Sequence, residues 1–248
     1  MKHLLRGAIV PALLLVLWEL ASRSGVILDT LSRPSDILLA LLSSLRDGSI
    51  LVATMQTFEA ALWGLAIAAV IGILVGTVLG LSPMLEGVTG PTIEALRPIP
   101  AVAFMPLALM MFGFGVNLEA SIVAYACVWP IMIVTTIVVR NIEPRLLDVA
   151  NVMEMTFAGK LRKIILPAAF ARINVGLRVA AGIALVVAVT TEIVLNPRGL
   201  GYSLILAQQA LNVALMYAQL IWLCLIGMLL NAVLRALGGS PAPAWRPA

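Results

Sequence analysis

Catalysis needs ionisable or nucleophilic side chains, and this sequence offers few. His3 is the only histidine and stands at the very start, so no Ser/His/Asp or Cys/His constellation can be assembled. Cys127 and Cys224 sit alone in apolar runs, without CxxC or metal spacing, and read as small buried hydrophobes. The only Gly-Lys pair, Gly159-Lys160, is followed by Leu161 and has Glu154 where a phosphate-binding loop requires glycine. A paired-carboxylate site would have to draw on Glu59, Glu119 or Glu192, which the topology scatters near different span ends. There is thus no reason to expect a metal, a cofactor or an enzyme. Two features remain. Arg178 and Glu192 interrupt a long apolar run, where ionisable residues are costly and mark solute or ion routes. They are fourteen residues apart, about 21 Å by helical rise, so they share a face without pairing. Each either finds a structural partner on a neighbouring span or guides an anion. The second feature is the polar, basic stretch DVANVMEMTFAGKLRKIILPAAF at 148–170.

These residues must be positioned by lipid-embedded helices. The 248-residue chain is 62% hydrophobic and 11% charged, with mean hydropathy +1.08. Soluble chains carry about 25% charge. Runs of 26, 21, 20 and 36 uncharged residues separate Glu59 from Glu86, Arg97 from Glu119, Glu119 from Arg140, and Arg198 from Arg235. Each can hold a span, since about 20 apolar residues cross the hydrocarbon core. Residues 7–22 and 173–195 add two more. The expectation is an all-α membrane protein with six transmembrane helices, because lipid leaves backbone groups to be satisfied within each segment. The N-terminus imitates a secretory signal, but Glu19 and Arg23 crowd the cleavage site, which favours an uncleaved first span.

With the N-terminus inside, the cytoplasmic segments hold eleven Lys or Arg, Arg97 included, and the opposite side four. Both termini are therefore expected in the cytoplasm, and the positive balance reflects topology instead of nucleic-acid binding. Residues 34–46 read as a short helix on the outer surface, beginning with Pro34 and carrying Asp36 in its first turn. Gly72, Gly76 and Gly80 form a ridge for close helix packing. Pro98 and Pro100 should break the helix where the third span begins. FGFGVN and NPRGLG read as outer turns, the latter followed by a short helix before the last span. Residues 1–57 are expected as a first span with the outer helix, 58–237 as the core with a cytoplasmic loop at 141–172, and 238–248 as a disordered tail.

Within the loop, Asn141 or Glu143 can cap a helix with Pro144 in its first turn. Leu146, Ala150, Met153 and Phe157 then recur on one face. That apolar stripe serves either as a docking surface for a partner protein or as a face lying on lipid headgroups. KLRK and Ile-Ile-Leu-Pro follow, with Pro167 marking a change of direction.

This stretch resembles the cytoplasmic loop of permease subunits of ATP-binding-cassette importers: EAA, three residues, Gly, nine residues, Ile-x-Leu-Pro. Asp148, Val149 and Ala150 stand at EAA, Glu154 at the glycine, and Ile164 to Pro167 at the end, without a gap. PSD, LRPIP, FGFG, EPRLLDVA, LPAA, GLRVA, TE and GLG, in that order from about residue 30 to 237, are similar to the nitrate/sulfonate/taurine branch. The resemblance implies a type I importer permease with a coupling helix between spans four and five. Its coupling residues would be Leu146, Leu147, Asp148, Ala150, Met153, Glu154, Phe157, Gly159, Leu166 and Pro167. Arg97, Pro98, Pro100, Arg178 and Glu192 would be candidates for the translocation pathway. The implied partners are two ATPase subunits, a second permease (a homodimer, or a similar chain), an extracytoplasmic substrate-binding protein and the bilayer of the inner membrane. The solute would be a small anion or a vitamin precursor. An ion-gradient-driven transporter or channel is the alternative. Glu154 at the glycine position implies that the helix continues, or that a partner surface accommodates the carboxylate.

Overall fold

A computed structural model of the chain describes residues 2–23 and 31–237, the side chains of residues 2–9, 11, 12, 144, 147, 157, 158, 161, 171 and 237 being outside that description. The expected tail at 238–248 also lies outside the described residues. The described chain is helical throughout. Helix α1 spans Lys2–Arg23, α2 Pro34–Arg46, α3 Ser49–Leu81, α4 Pro83–Leu96, α5 Met105–Phe112 after a 3-10 turn at Ala101–Phe104, and α6 Val116–Arg140. Then follow α7 Pro144–Val152, α8 Phe157–Lys160, a π turn at Leu161–Ile165, α9 Leu166–Val194, α10 Gly199–Gln209 and α11 Val213–Leu237.

Among the described residues, four helices are long and apolar enough to cross a membrane: α3, α6, α9 from Arg172, and α11 up to Ala236. A fifth crossing is bent: α4 and the segment 101–112 meet at 84°. This corrects the expected third span, which the sequence places wholly between Arg97 and Glu119. It also corrects the placement of RPIP, which falls inside that crossing and not at its start. The bent unit begins beside Arg140, which pairs with Glu86, and ends at Gly115, whose N–H donates to Asn196 (2.9 Å). It therefore passes from one end of the bundle to the other.

The pivot of the bundle is the seam between α3 and α6, which run parallel. A Cβ built on Gly64 would lie 2.5 Å from Val123, one on Gly72 2.9 Å from Ile131, one on Gly76 2.6 Å from the Met132 carbonyl and one on Gly80 2.8 Å from the Thr136 carbonyl. Ala60 and Ala68, both fully buried, continue the row. Without an aqueous driving force between helices, such close backbone approach supplies the packing energy. Thr135 and Thr136 face the same seam and satisfy their hydroxyls on the Ile131 and Met132 carbonyls, at 2.7 and 2.9 Å. Helix α9 completes the core through Ala180, Ala184 and Ala188, which pack with Ala68, Val123 and Ile131.

Two boundaries also need correction. Helix α3 starts ten residues before Glu59 and runs unbroken through residue 57, so the expected division after 57 falls inside a helix. Glu59 is tolerated there because Arg198 pairs with it at 2.8 Å. At the N-terminus of α3, the Asp47 carboxylate accepts from the Ser49 N–H at 2.8 Å, and its bonding to Ser49 holds it below the usual carboxylate range.

Candidate functional site

At the end of the bundle where α3 and α6 finish, the chain turns into α7. Glu143 occupies the N-cap position but makes no side-chain cap bond; Asn141 instead donates to the Ile137 carbonyl, closing α6 (2.8 Å). Pro144 lacks an N–H that would otherwise need a partner there. The C-terminus of α7 is more informative. Met155 N–H donates to the Ala150 carbonyl and Glu154 N–H to the Asn151 carbonyl, both at 3.0 Å, with Glu154 at φ +51. That is a Schellman cap, whose left-handed residue is normally glycine. The glycine of the importer loop motif thus has a physical role here, and Glu154 performs it under strain. The expectation that the helix continues through Glu154 is overturned; it ends at Val152.

Exposure distinguishes the two faces of α7. Leu146, Val149, Val152 and Met153 are 41%, 55%, 85% and 66% exposed, whereas Ala150 is 0% exposed. Ala150 is therefore removed from the expected docking stripe, because α7 turns it inward. Asp148 and Glu154 are exposed. Lys160 Nζ donates to Asn151 Oδ1 (2.5 Å) and Gly159 N–H to Thr156 Oγ1 (3.3 Å), holding the return of the loop. Leu166 and Pro167 open α9, where a proline costs no helical bond. The chain enters α9 through the π turn, and buried Ile165 anchors it against Val138, Val139, Ala169 and Ile173.

The RPIP bend lies near mid-height, because the Leu96 carbonyl accepts from the hydroxyl of Tyr125 (3.0 Å), nine residues into α6. A helix would have paired that carbonyl with the N–H of residue 100, which is proline. The Ile99 N–H takes that place at 3.2 Å, Tyr125 adds a second donor, and its ring lies between Phe104 (4.5 Å) and Trp129 (5.6 Å). Nothing in the sequence singled out Tyr125. Arg97 lines a cavity of ≈ 260 Å³ with Glu86, Glu94, Met132 and Thr136. It belongs to the interior of a crossing, so the expected inner-side count falls from eleven to ten.

The opposite end gathers the carboxylates that the sequence reading scattered. Glu119 and Glu192 are 0% and 1% exposed and lie close enough to interact electrostatically. Asn196 joins the cluster: its amide nitrogen donates to Glu119 and to the Gly115 carbonyl (3.3 Å). Glu192 accepts from the N–H of Gly201 (2.7 Å), while Thr57 Oγ1 accepts from Leu200 N–H (3.0 Å) and Gln56 Oε1 from Gly199 N–H (2.9 Å). A Cβ at Gly199, where φ is +84, would collide with the Glu192 carboxylate. The NPRGLG turn is thereby fastened to α3, α6 and α9. Glu192 serves as an anchor for that turn.

Arg178 differs. It is half-buried, six residues into the α9 crossing, and has no hydrogen-bond or ion-pair partner among the described residues. It lines two cavities of ≈ 450 and ≈ 360 Å³ between α9, α11 and α3.

A helical bundle with one bent crossing and a capped loop helix at one end defines an integral membrane protein. The chain belongs to the family of binding-protein-dependent transport system inner membrane components, which it matches over residues 68–246. It is 28% identical over 94% of its length to 85% of the aliphatic sulfonates transport permease protein SsuC of Bacillus subtilis. It is 30% identical over 92% of its length to 85% of the taurine transport system permease protein TauC of Escherichia coli. In fold it resembles a chain of the inward-facing MetNI methionine ABC transporter, with TM-score 0.66 and 17% identity over 74% of this chain and 92% of that one. It is thus an importer permease of the nitrate/sulfonate/taurine branch, a multi-pass inner-membrane protein, and the ion-gradient-driven alternative is set aside. Its relatives are transport components, not catalysts.

Proposed function

We propose that this chain forms the translocation pathway for a small oxyanion such as a sulfonate, moved by a separate ATPase that grips α7. Two copies form the membrane unit, two ATPase subunits sit beneath it, and an extracytoplasmic binding protein delivers the solute. Both termini are cytoplasmic. The observation that carries the docking reading is the exposed apolar edge Leu146, Val149, Val152 and Met153 on a helix stopped by a rigid cap. A free apolar edge beside exposed Arg145 and Asp148 suits a groove on a protein partner. Gly159, Leu166 and Pro167 transmit the motion of α7 into α9, and the side chains of Leu147 and Phe157 are assigned to the same loop on sequence alone. Sulfonate and taurine permeases among the relatives, together with Arg178, unpaired among the described residues within the α9 crossing, support the anion reading.

The test is co-purification of the permease with its operon-encoded ATPase. Val152→Glu adds a charge at an 85% exposed position, so folding is retained and ATPase recovery is lost. Full recovery of the ATPase with Val152→Glu and Met153→Glu together would sink the docking reading.

A further inference from the structure

We propose that Arg178, with Asn174 one turn before it on α9 and Asn231 across the cleft on α11, forms a binding site for an oxyanionic group. The group is a sulfonate, carboxylate or phosphate, carried by a transported solute or by a lipid headgroup.

Arg178 stands between the two cavities: both include it and Leu234, the larger adding Asn231 and the smaller Asn174. No acidic side chain lines either cavity. From Arg172, where the crossing begins, Arg178 lies about 9 Å deep by helical rise. A guanidinium at that depth is held only where a counter-charge or polar partner exists. Among the described residues it has none, and neither asparagine has a hydrogen-bond partner. Guanidinium offers donors alone, in a planar fork that matches a carboxylate, sulfonate or phosphate edge; each asparagine amide adds two more donors.

The remaining lining is apolar, with Val179, Leu185 and Leu230 prominent. Such walls strengthen an ion pair by excluding water. There is also room. Gly182 and Gly227 face the larger cavity, and a Cβ on either meets nothing within 4 Å. The solute source rests on the importer reading above; the lipid source does not.

The experiment uses the purified permease–ATPase complex. Ethanesulfonate binding is measured calorimetrically in phosphatidylcholine nanodiscs, and retained phosphatidylglycerol is counted by native mass spectrometry in mixed nanodiscs. At least one probe should bind. Loss of its charge-assisted bonds in Arg178→Gln should weaken it about tenfold or more, with Arg178→Lys intermediate because it keeps charge without the fork. Gly182→Leu, which fills the cleft and touches no charge, should weaken the same probe. Sulfonate loss identifies a solute site, and phosphatidylglycerol loss a headgroup site. Binding of neither probe by the unaltered complex would overturn the proposal, as would binding indifferent to Arg178→Gln and Gly182→Leu. Separation of the two permease copies by Gly182→Leu with anion binding intact would also overturn it, since the cleft would then be a helix-packing surface. Absence of ATP-driven uptake with binding preserved would count against the importer reading alone.

Discussion

Glu154→Gly is expected to tighten the loop, although it removes a side chain and adds a flexible residue. Glu154 holds φ at +51 to complete the cap on α7. An L-residue in the left-handed region loses about 1–2 kcal/mol. Glycine avoids that cost but forfeits roughly 0.5–1 kcal/mol of backbone entropy on ordering. The balance favours glycine by about 0.5–1 kcal/mol, or roughly two- to fivefold in the opening equilibrium of the last turn. Amide hydrogen exchange of Met155, bonded to the Ala150 carbonyl, reads that equilibrium directly in the purified permease. Glu154→Ala separates the causes, since it deletes the carboxylate and keeps the strain; it should leave exchange near that of the original chain. Glu154→Val, β-branched, should accelerate it. If Glu154→Gly exchanged as fast as Glu154→Ala, the argument from the left-handed cap would fail.

Two further outcomes follow from the packing. Gly76→Val should lower the melting temperature of the purified permease by the equivalent of about 1–3 kcal/mol, because overpacking forces α3 off α6. Gly227→Ala, whose Cβ meets open space, is the matched control and should be neutral or better. Tyr125→Phe keeps the ring between Phe104 and Trp129 but removes one of two donors to the Leu96 carbonyl, the Ile99 N–H remaining, at a cost of about 0.5–1.5 kcal/mol. It should shift Trp129 fluorescence and speed proteolysis at RPIP; an unchanged cleavage rate would count against that hydroxyl as the brace of the bend.

Long gaps between charges located α6, α11 and the body of α3, because an uncompensated charge in lipid is rare. The same rule misplaced the start of α3, since Glu59 is compensated by Arg198 from 139 residues away and no local pattern reports a distant partner. It also treated Arg97 as a border when it marks a bend. The packing role read for Gly72, Gly76 and Gly80 holds, and Gly64 extends it. Outward exposure on α7 was harder to read: a period of 3.6 groups Ala150 with Met153, but only the fold decides that the α7 face bearing Ala150 turns inward. Glu154 defeated propensity reasoning for a different reason. The cap is imposed by hydrogen bonds at both ends of the turn, and the residue accepts the geometry. Glu119, Glu192 and Asn196 converge through folding alone, so their grouping had no signature in spacing.

The glycine row on α3 restricts how the protein can work. With so many carbonyl and methyl groups of α6 set where Cβ atoms would be, the two helices form one keel that can neither slide nor twist against itself without steric collision. Alternation between inward and outward access must then be borne by the elements hinged on that keel, the proline elbow of the third crossing and the sparsely covered last helix. Spin labels for tracking turnover belong on those two parts, with the reference label on the keel.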